Sequence, residues 1–366
     1  MKINYTMFGT GLTGGVRVIL EIANHLVKRG HEVTITSLGR ENDHKWFPLK
    51  ARTIYVKRPK YILGGARYVI RKYLKNHWFE AYPPQAEIRK LAEATPDDID
   101  INVATFCFTA YSVFASEKGV PPFYHMQHYE PLFFDDAFLK KLAEGTYHLP
   151  LNKISNSIWL HNIMKEKYGG VETPIVNPAI DHNVFYPREI EKESNKLRVI
   201  AFGKQTRWKG FPELLKAMEV VMKQRNDVEF VVYGAKKPTY ESRVPYKFVQ
   251  RPSDEELAQL YSSADVVVTA SWYESFPLPP LEAMACGGAP VVTTRYGTED
   301  YAFHGKNALV VPPKDPKALA EAILRLLNDE DLREQFRREG PKTAKRFTWD
   351  NTVDKVEKLF KGALKG

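Results

Sequence analysis

The sequence predicts an α/β protein of two Rossmann-like, doubly wound domains, and three observations carry that reading. At 366 residues the chain exceeds what one core holds, because single cores stop growing near roughly 250 to 300 residues. The strand-like run Met1 to Phe8 passes through a glycine turn into a helical pattern and then into Glu32-Val33-Thr34-Ile35-Thr36-Ser37, a βαβ unit. In the second half, Val266-Val267-Val268 leads through a loop, a short helix and two glycines to Val291-Val292-Thr293, as buried parallel strands do.

Composition narrows the class. Hydrophobic residues make up 43% of the chain and no apolar run approaches the roughly 18 residues of a membrane span. The opening strand lacks the long apolar region and cleavage site of a signal peptide, so a cytoplasmic protein is expected. Cys107 and Cys286 lie in apolar surroundings and read as reduced core residues. A net charge of +9 favours a polyanionic partner: nucleic acid, an anionic membrane or a phosphate-bearing ligand.

Taken in order, Gly9-Thr10-Gly11-Leu12-Thr13-Gly14 satisfies the dinucleotide-binding spacing G-x-G-x-x-G. The next strand ends in Ser37-Leu38-Gly39 instead of the acidic residue that would take a ribose, which argues against NAD. Between them Val16, Ile19, Leu20, Ala23, Leu26 and Val27 share a helical face, and Gly30 ends the helix.

Residues 55–90 interleave Lys and Arg with Tyr, Trp and Phe. No RNA- or DNA-binding signature accompanies them, so nucleic acid is not expected. Over 61–78, Ile62, Leu63, Ala66, Val69, Ile70, Tyr73 and Leu74 fall on one helical side and Arg67, Arg71, Lys72 and Lys75 on the other, with Trp78 at the edge. This is the pattern of a helix lying on an anionic membrane. The other reading packs the apolar side on the domain's own sheet.

Asp98-Ile99-Asp100 could be a metal-binding D-x-D or a turn leading into the strand from Ile101. The turn is the expectation, and Asp135-Asp136 is a second acidic pair. Pro122 to Gln127 reads as a strand, with His125 inside it and His128 just past its end. Arg188 to Lys196 is charged and poor in apolar residues, as a linker is.

In the second half, Leu197 to Phe202 is a strand followed by Gly203-Lys204-Gln205-Thr206-Arg207-Trp208-Lys209-Gly210. Val228 to Gly234 and Tyr246 to Val249 are further strands, and Ser253-Asp254-Glu255-Glu256 is a capping box opening a helix. Glu274 and Glu282 then flank a loop at a strand's carboxyl end, with Pro279 and Pro280 suited to a helix's first turn. Free N–H groups there attract anions, and a carboxylate can accept from sugar hydroxyls. The tail from Phe347 carries Trp349, Val353, Val356, Leu359 and Phe360 at helical spacing.

Glu274-x7-Glu282, followed by Ala-Met-Ala-Cys-Gly-Gly-Ala-Pro-Val-Val, resembles the signature of retaining glycosyltransferases of family 4. Asn177 to Pro187, resembling that family's interdomain segment, the Gly203 to Gly210 turn and Asn307 to Pro316 extend the resemblance over nearly the whole chain. It implies the GT-B fold, two Rossmann-like doubly wound domains facing across a cleft. Residues 1–187 would be the acceptor domain, 188–346 the nucleotide-sugar donor domain, and 347–366 a terminal helix returning to the first.

The implied site follows the motifs. Glu282 would accept from the ribose hydroxyls, Lys209 would grip the donor diphosphate, and Glu274 with Ser275 and the N–H groups of Phe276 and Leu278 would hold the sugar. Lys204 stands where the family has Arg, and cannot make Arg's bidentate fork, although Arg207 could compensate. Gly14 and Gly15 would let donor or acceptor approach the backbone. His128 would be the active-site histidine, with Tyr129 in place of the family's following Asp and with His125 as a rival. The resemblance also implies no metal and no cofactor, a nucleotide sugar as donor, and a glycan, lipid-linked or small-molecule acceptor. The Gln127-x-Tyr129-Glu130-Pro131 stretch is similar to enzymes of surface-polysaccharide biosynthesis, including rhamnosyltransferases. A sugar-nucleotide epimerase, a glycan phosphorylase or a non-catalytic nucleotide-sugar-binding protein could share the fold.

Overall fold

Short apolar strands alternating with one-faced helices build both halves of the chain. The computed structural model describes residues 1–41, 43–58, 84–119, 121–191, 195–287, 291–294 and 296–365. Two compact units emerge: Met1–Asn156, Leu160–Asn177 and Trp349–Gly366 form one, and Ser157–Trp159 with Pro178–Thr348 the other. The amphipathic stretch at 61–78 lies outside the described residues.

The first unit opens with β1 (Lys2–Met7), α1 (Gly14–Lys28), β2 (Glu32–Leu38) and β3 (Arg52–Val56). Thr13 starts α1 by accepting from the Val16 N–H, and Gly30 leaves it at φ +85°. There follow α2 (Gln85–Ala94), β4 (Ile101–Ala104), α3 (Cys107–Ser116), β5 (Pro122–Met126), α4 (Ala137–Gly145), β6 (Asn152–Ser155) and α5 (Ile158–Lys167). Every pairing is parallel, and the sheet order is β3-β2-β1-β4-β5-β6. That is the doubly wound order, with its switch point between β1 and β4. The D-x-D is a turn that ties two strands together: Asp98 pairs with the Lys2 ammonium, and Asp100 accepts from the Lys2 N–H at 2.7 Å. Asp136 caps α4.

The second unit repeats the plan with β7 (Leu197–Phe202), α6 (Phe211–Gln224), β8 (Val228–Gly234), β9 (Lys247–Gln250), α7 (Asp254–Ser263), β10 (Val266–Thr269), α8 (Leu278–Ala285), β11 (Val291–Thr294), β12 (Ala308–Val311), α9 (Pro316–Asn328) and α10 (Glu330–Ala344). Its order is β12-β11-β10-β7-β8-β9, again all parallel, so the switch point falls between β7 and β10. One face of this sheet packs on α6 and α9 and the other on α7 and α8. Ser253 and Glu256 form the capping box of α7.

The last helix, α11 (Trp349–Ala363), belongs to the first unit. Its Phe360 meets Phe123 of β5 at 4.8 Å between ring centres, and its Asp354 and Glu357 pair with Arg29 beyond α1. The units change at Asn177–Pro178 and Thr348–Trp349, and not at the 187/188 and 346/347 junctions read from the sequence. Ile180, Phe185 and Phe347 are the reason, since all three are buried in the second unit's core. Among the described residues no helix is long and apolar enough to cross a membrane.

Candidate active site

The second unit's candidate residues gather where its strand order reverses. Gly203 to Gly210 leaves β7 and Ala270 to Pro277 leaves β10, so the turns after two adjacent strands meet at one carboxyl edge. They meet closely. Gly210 has φ +65°, and a Cβ on it would overlap the Ala270 carbonyl, so only glycine lets the turns touch. The Trp272 N–H donates to the Trp208 carbonyl at 2.8 Å and fastens them. Gly297, at φ +77°, presses on the Glu274 carbonyl in the same way.

This clamp holds Lys209 Nζ 2.5 Å from Glu274 Oε1, with side chains 20% and 14% exposed. A pair so nearly withdrawn from water leaves either partner poorly solvated if the other is removed. Lys204 is solvent-accessible, yet the protein around its ammonium, and secondarily the Lys209 charge, lower its pKa. The region therefore already holds cations that a bound dianion would stabilise.

Glu282 lies one turn into α8 and is 7% exposed. Pro279 and Pro280 occupy the first turn of α8, which leaves the Phe276 and Leu278 N–H groups as the donors of the Glu274–Leu278 loop flanking Pro277. Phe276 is wedged between Tyr301 and Phe347, at 5.3 and 5.5 Å, and the Tyr301 hydroxyl donates to the Pro277 carbonyl at 2.7 Å. Ser275 is buried beside Ser157 at 3.4 Å. Sequence reasoning missed this support: Tyr301, Gly297 and Asp300, which accepts from the Ile158 N–H at 3.1 Å. The turn residues Gly297-Thr298 were the available signal.

The first unit holds the other three candidates. Gly14 and Gly15 begin α1; a Cβ on Gly14 would meet nothing within 4 Å and one on Gly15 only Gln127, at 3.5 Å. Among the described residues nothing inside the unit demands glycine there. His128 follows β5, with Nδ1–H donating to the Tyr129 carbonyl at 3.1 Å and its ring 4.7 Å from that of Phe133. His125 instead sits inside β5, fully buried, and burial pushes its pKa down to about 4. Glu130, which the sequence reading passed over as a residue, is also buried and is pushed up to about 8 by desolvation.

Two doubly wound parallel sheets, the second with cations and carboxylates at its switch point, define the GT-B class of glycosyltransferase folds. Sucrose-phosphate synthase from Thermosynechococcus elongatus shares this fold, with a TM-score of 0.78 over 99% of each chain at 18% identity. So does HepE of Anabaena, crystallised in complex with UDP-glucose, with a TM-score of 0.76 at 18% identity over 99% of this chain and 100% of that one. Residues 185–343 match the model of the family described as glycosyl transferases group 1, and they include the second unit's candidate residues Lys204, Lys209, Glu274, Ser275, Phe276, Leu278 and Glu282. D-inositol 3-phosphate glycosyltransferase of Corynebacterium urealyticum is 32% identical over 214 residues, 51% of this chain and 50% of that protein. The chain spans about half the length of the curated relatives it matches.

Proposed function

We propose that the chain is a retaining glycosyltransferase of the hexosyltransferase type, moving a sugar from a nucleotide-diphosphate sugar to a glycan, lipid-linked or small-molecule acceptor. The observation that carries this reading is the Lys209–Glu274 pair, held by two turns at the switch point with Lys204 beside it. UDP-glucose in HepE supports a nucleotide sugar as the donor. Transfer breaks the bond from the anomeric carbon to the diphosphate oxygen and forms one to the acceptor oxygen. Lys209 and Lys204, with the Phe276 and Leu278 N–H groups, stabilise the charge growing on the leaving diphosphate. Glu274 holds sugar hydroxyls and shares Lys209 with the donor, while Glu282 accepts from the ribose. His128 acts on the sugar, and Gly14 and Gly15 admit donor or acceptor.

The test is a thermal-shift screen across UDP-, GDP-, dTDP- and ADP-sugars, followed by transfer with the stabilising donor. One donor should raise the melting temperature and release its nucleotide diphosphate only with acceptor present. No shift with any donor would reject the reading, conversion of the donor sugar without acceptor would indicate an epimerase, and binding with no transfer a non-catalytic protein. The reading needs no metal or cofactor: EDTA should leave transfer intact, and activity lost in EDTA and restored by magnesium would overturn that part. We further infer a role in surface-polysaccharide synthesis on the cytoplasmic face of the membrane, reached through residues 61–78. Flotation with anionic liposomes should then weaken with salt and with Arg67, Arg71 and Lys75 changed to Glu. Flotation absent at low salt would remove the membrane contact.

A further inference from the structure

Arg207, Trp272 and Lys314 form a cluster on the same carboxyl edge that takes no part in the Lys209–Glu274 pair. Lys314 follows β12 in the turn Pro312-Pro313-Lys314-Asp315, and its φ is +62°. That is the left-handed region, where a Cβ crowds the following carbonyl and glycine or asparagine would sit with less strain. A lysine persists there with its Nζ 4.3 Å from the centre of the Trp272 ring. Arg207 Cζ lies 5.4 Å from the same centre. The backbone under the indole is held, because the Trp272 main-chain N–H donates to the Trp208 carbonyl and the neighbouring Trp208 ring stacks on Tyr273 at 6.2 Å and 17°.

Among the described residues neither Arg207 nor Lys314 has a carboxylate partner, whereas Lys209 has Glu274. Two exposed cations are thus fixed on one indole, whose electron-rich faces offset their charge only in part. The arrangement is preorganised for an anion. Lys314 leads into α9, on the sheet face opposite the one that carries α8 and Glu282, while Arg207 and Trp272 reach it from the two turns that also carry Lys209 and Glu274.

We propose that Arg207 and Lys314 bind an anionic group, carboxylate or phosphate, on the acceptor saccharide. The assignment to an acceptor rests on the glycosyltransferase reading; the anion site itself does not. Calorimetry on the full chain would compare hexagalacturonate, glucose 6-phosphate and the uncharged maltohexaose, with UDP titrated as the control. Hexagalacturonate or glucose 6-phosphate should bind and maltohexaose should not, and which of the two binds tells carboxylate from phosphate. Lys314→Gly should weaken that binding by roughly tenfold, as loss of one charge-assisted contact does, and Arg207→Gln should do likewise. Lys314→Arg should retain it. Lys314→Gly should also melt no lower than the unsubstituted chain, because glycine relieves the left-handed turn, so lost binding cannot be laid to misfolding. UDP affinity should be the same before and after the Lys314→Gly change.

Unchanged affinity for the anionic probe in Lys314→Gly would overturn the proposal, and so would equal binding of maltohexaose. A parallel loss of UDP affinity in Lys314→Gly would overturn it too, by assigning the lysine to the donor. Failure of the glycosyltransferase reading would look different: anionic saccharide bound through Lys314, with no nucleotide sugar bound or consumed.

Discussion

The two units share one strand order and differ in what lies inside it. The second sheet is packed with hydrocarbon, Val199, Ala201, Val232, Val266 and Val268 on one face and Ile200, Val231 and Val267 on the other. The first carries amides and hydroxyls through its centre. Asn4 Nδ2 donates to Asn102 Oδ1 at 2.9 Å, Thr36 Oγ1 donates to Asn4 Oδ1 at 2.7 Å, and Asn102 Nδ2 donates to Ser116 at 3.1 Å. Beside this ladder lie buried groups that titrate: His125, with no partner for either ring nitrogen among the described residues, and Glu130, bonded by the Tyr124 hydroxyl at 2.6 Å. Topology therefore leaves interior chemistry open. Among the candidate residues, those of the second unit sit at its rim over a passive interior, whereas the first unit's interior responds to pH.

The comparison breaks most easily at the second unit's rim. Lys209→Ala should lower turnover by a factor of about 100 or more, because a preorganised cation on the leaving group is lost, and should lower the melting temperature, because Glu274 is left poorly solvated. Steady-state transfer and a melting curve on the same protein check both halves of that statement. Glu282→Ala should weaken donor binding by roughly 1.5 to 3 kcal/mol, the range for hydrogen bonds to a charged group. Unchanged donor affinity in the folded variant would remove Glu282 from the ribose.

The first unit's contrast is a stability that depends on pH. Burial holds His125 at about 4, below its ordinary 6.5, so the unfolded chain binds the extra proton between those values and stability rises with pH there. Burial holds Glu130 at about 8, above its ordinary 4.5, so the folded chain binds the extra proton and stability falls with pH between those values. The two oppose each other up to 6.5; from there to about 8 only Glu130 acts, and about 2 kcal/mol should be lost. Urea unfolding at the two ends of that window measures it, and Glu130→Gln should flatten the difference.

Smaller effects sharpen the picture. His128→Ala should cut turnover about tenfold with nucleotide affinity barely changed, as for an interaction made in the transition state. His125→Ala should change stability and not turnover; the reverse outcome would exchange the roles of the two histidines. Arg29→Ala, which releases Asp354 and Glu357 of α11, should cost about 1 kcal/mol or less because the pairs are partly solvated, as a denaturation midpoint would show.

Much of this was legible along the chain because local rules wrote it. The Ser253–Glu256 box, Pro279 and Pro280 and the glycines at 30 and 287 mark helix ends by chemistry within a few residues. What escaped were relations across long separations. Lys209 and Glu274 could each be read as a donor-site residue, but their ion pair depends on two turns meeting at a switch point. The Asn4–Asn102 bond joins strands far apart in sequence, and Glu130 gives no sign in a Tyr-Glu-Pro stretch that it is buried. The junctions read at 187/188 and 346/347 lie ten and two residues from the changes at 177/178 and 348/349, and only packing shows that the second unit's core receives Ile180, Phe185 and Phe347.

The placement of α11 has a bearing on the order in which the protein is made. Phe360 fills the space beside Phe123, yet nearly the whole second unit is translated between those two residues. On the ribosome the N-terminal sheet must wait, its β5 flank uncovered, while Pro178–Thr348 emerges and can fold as an almost continuous segment. The unit synthesised first is thus the last to be completed, and limited proteolysis of stalled nascent chains should find the C-terminal sheet protected before the N-terminal one.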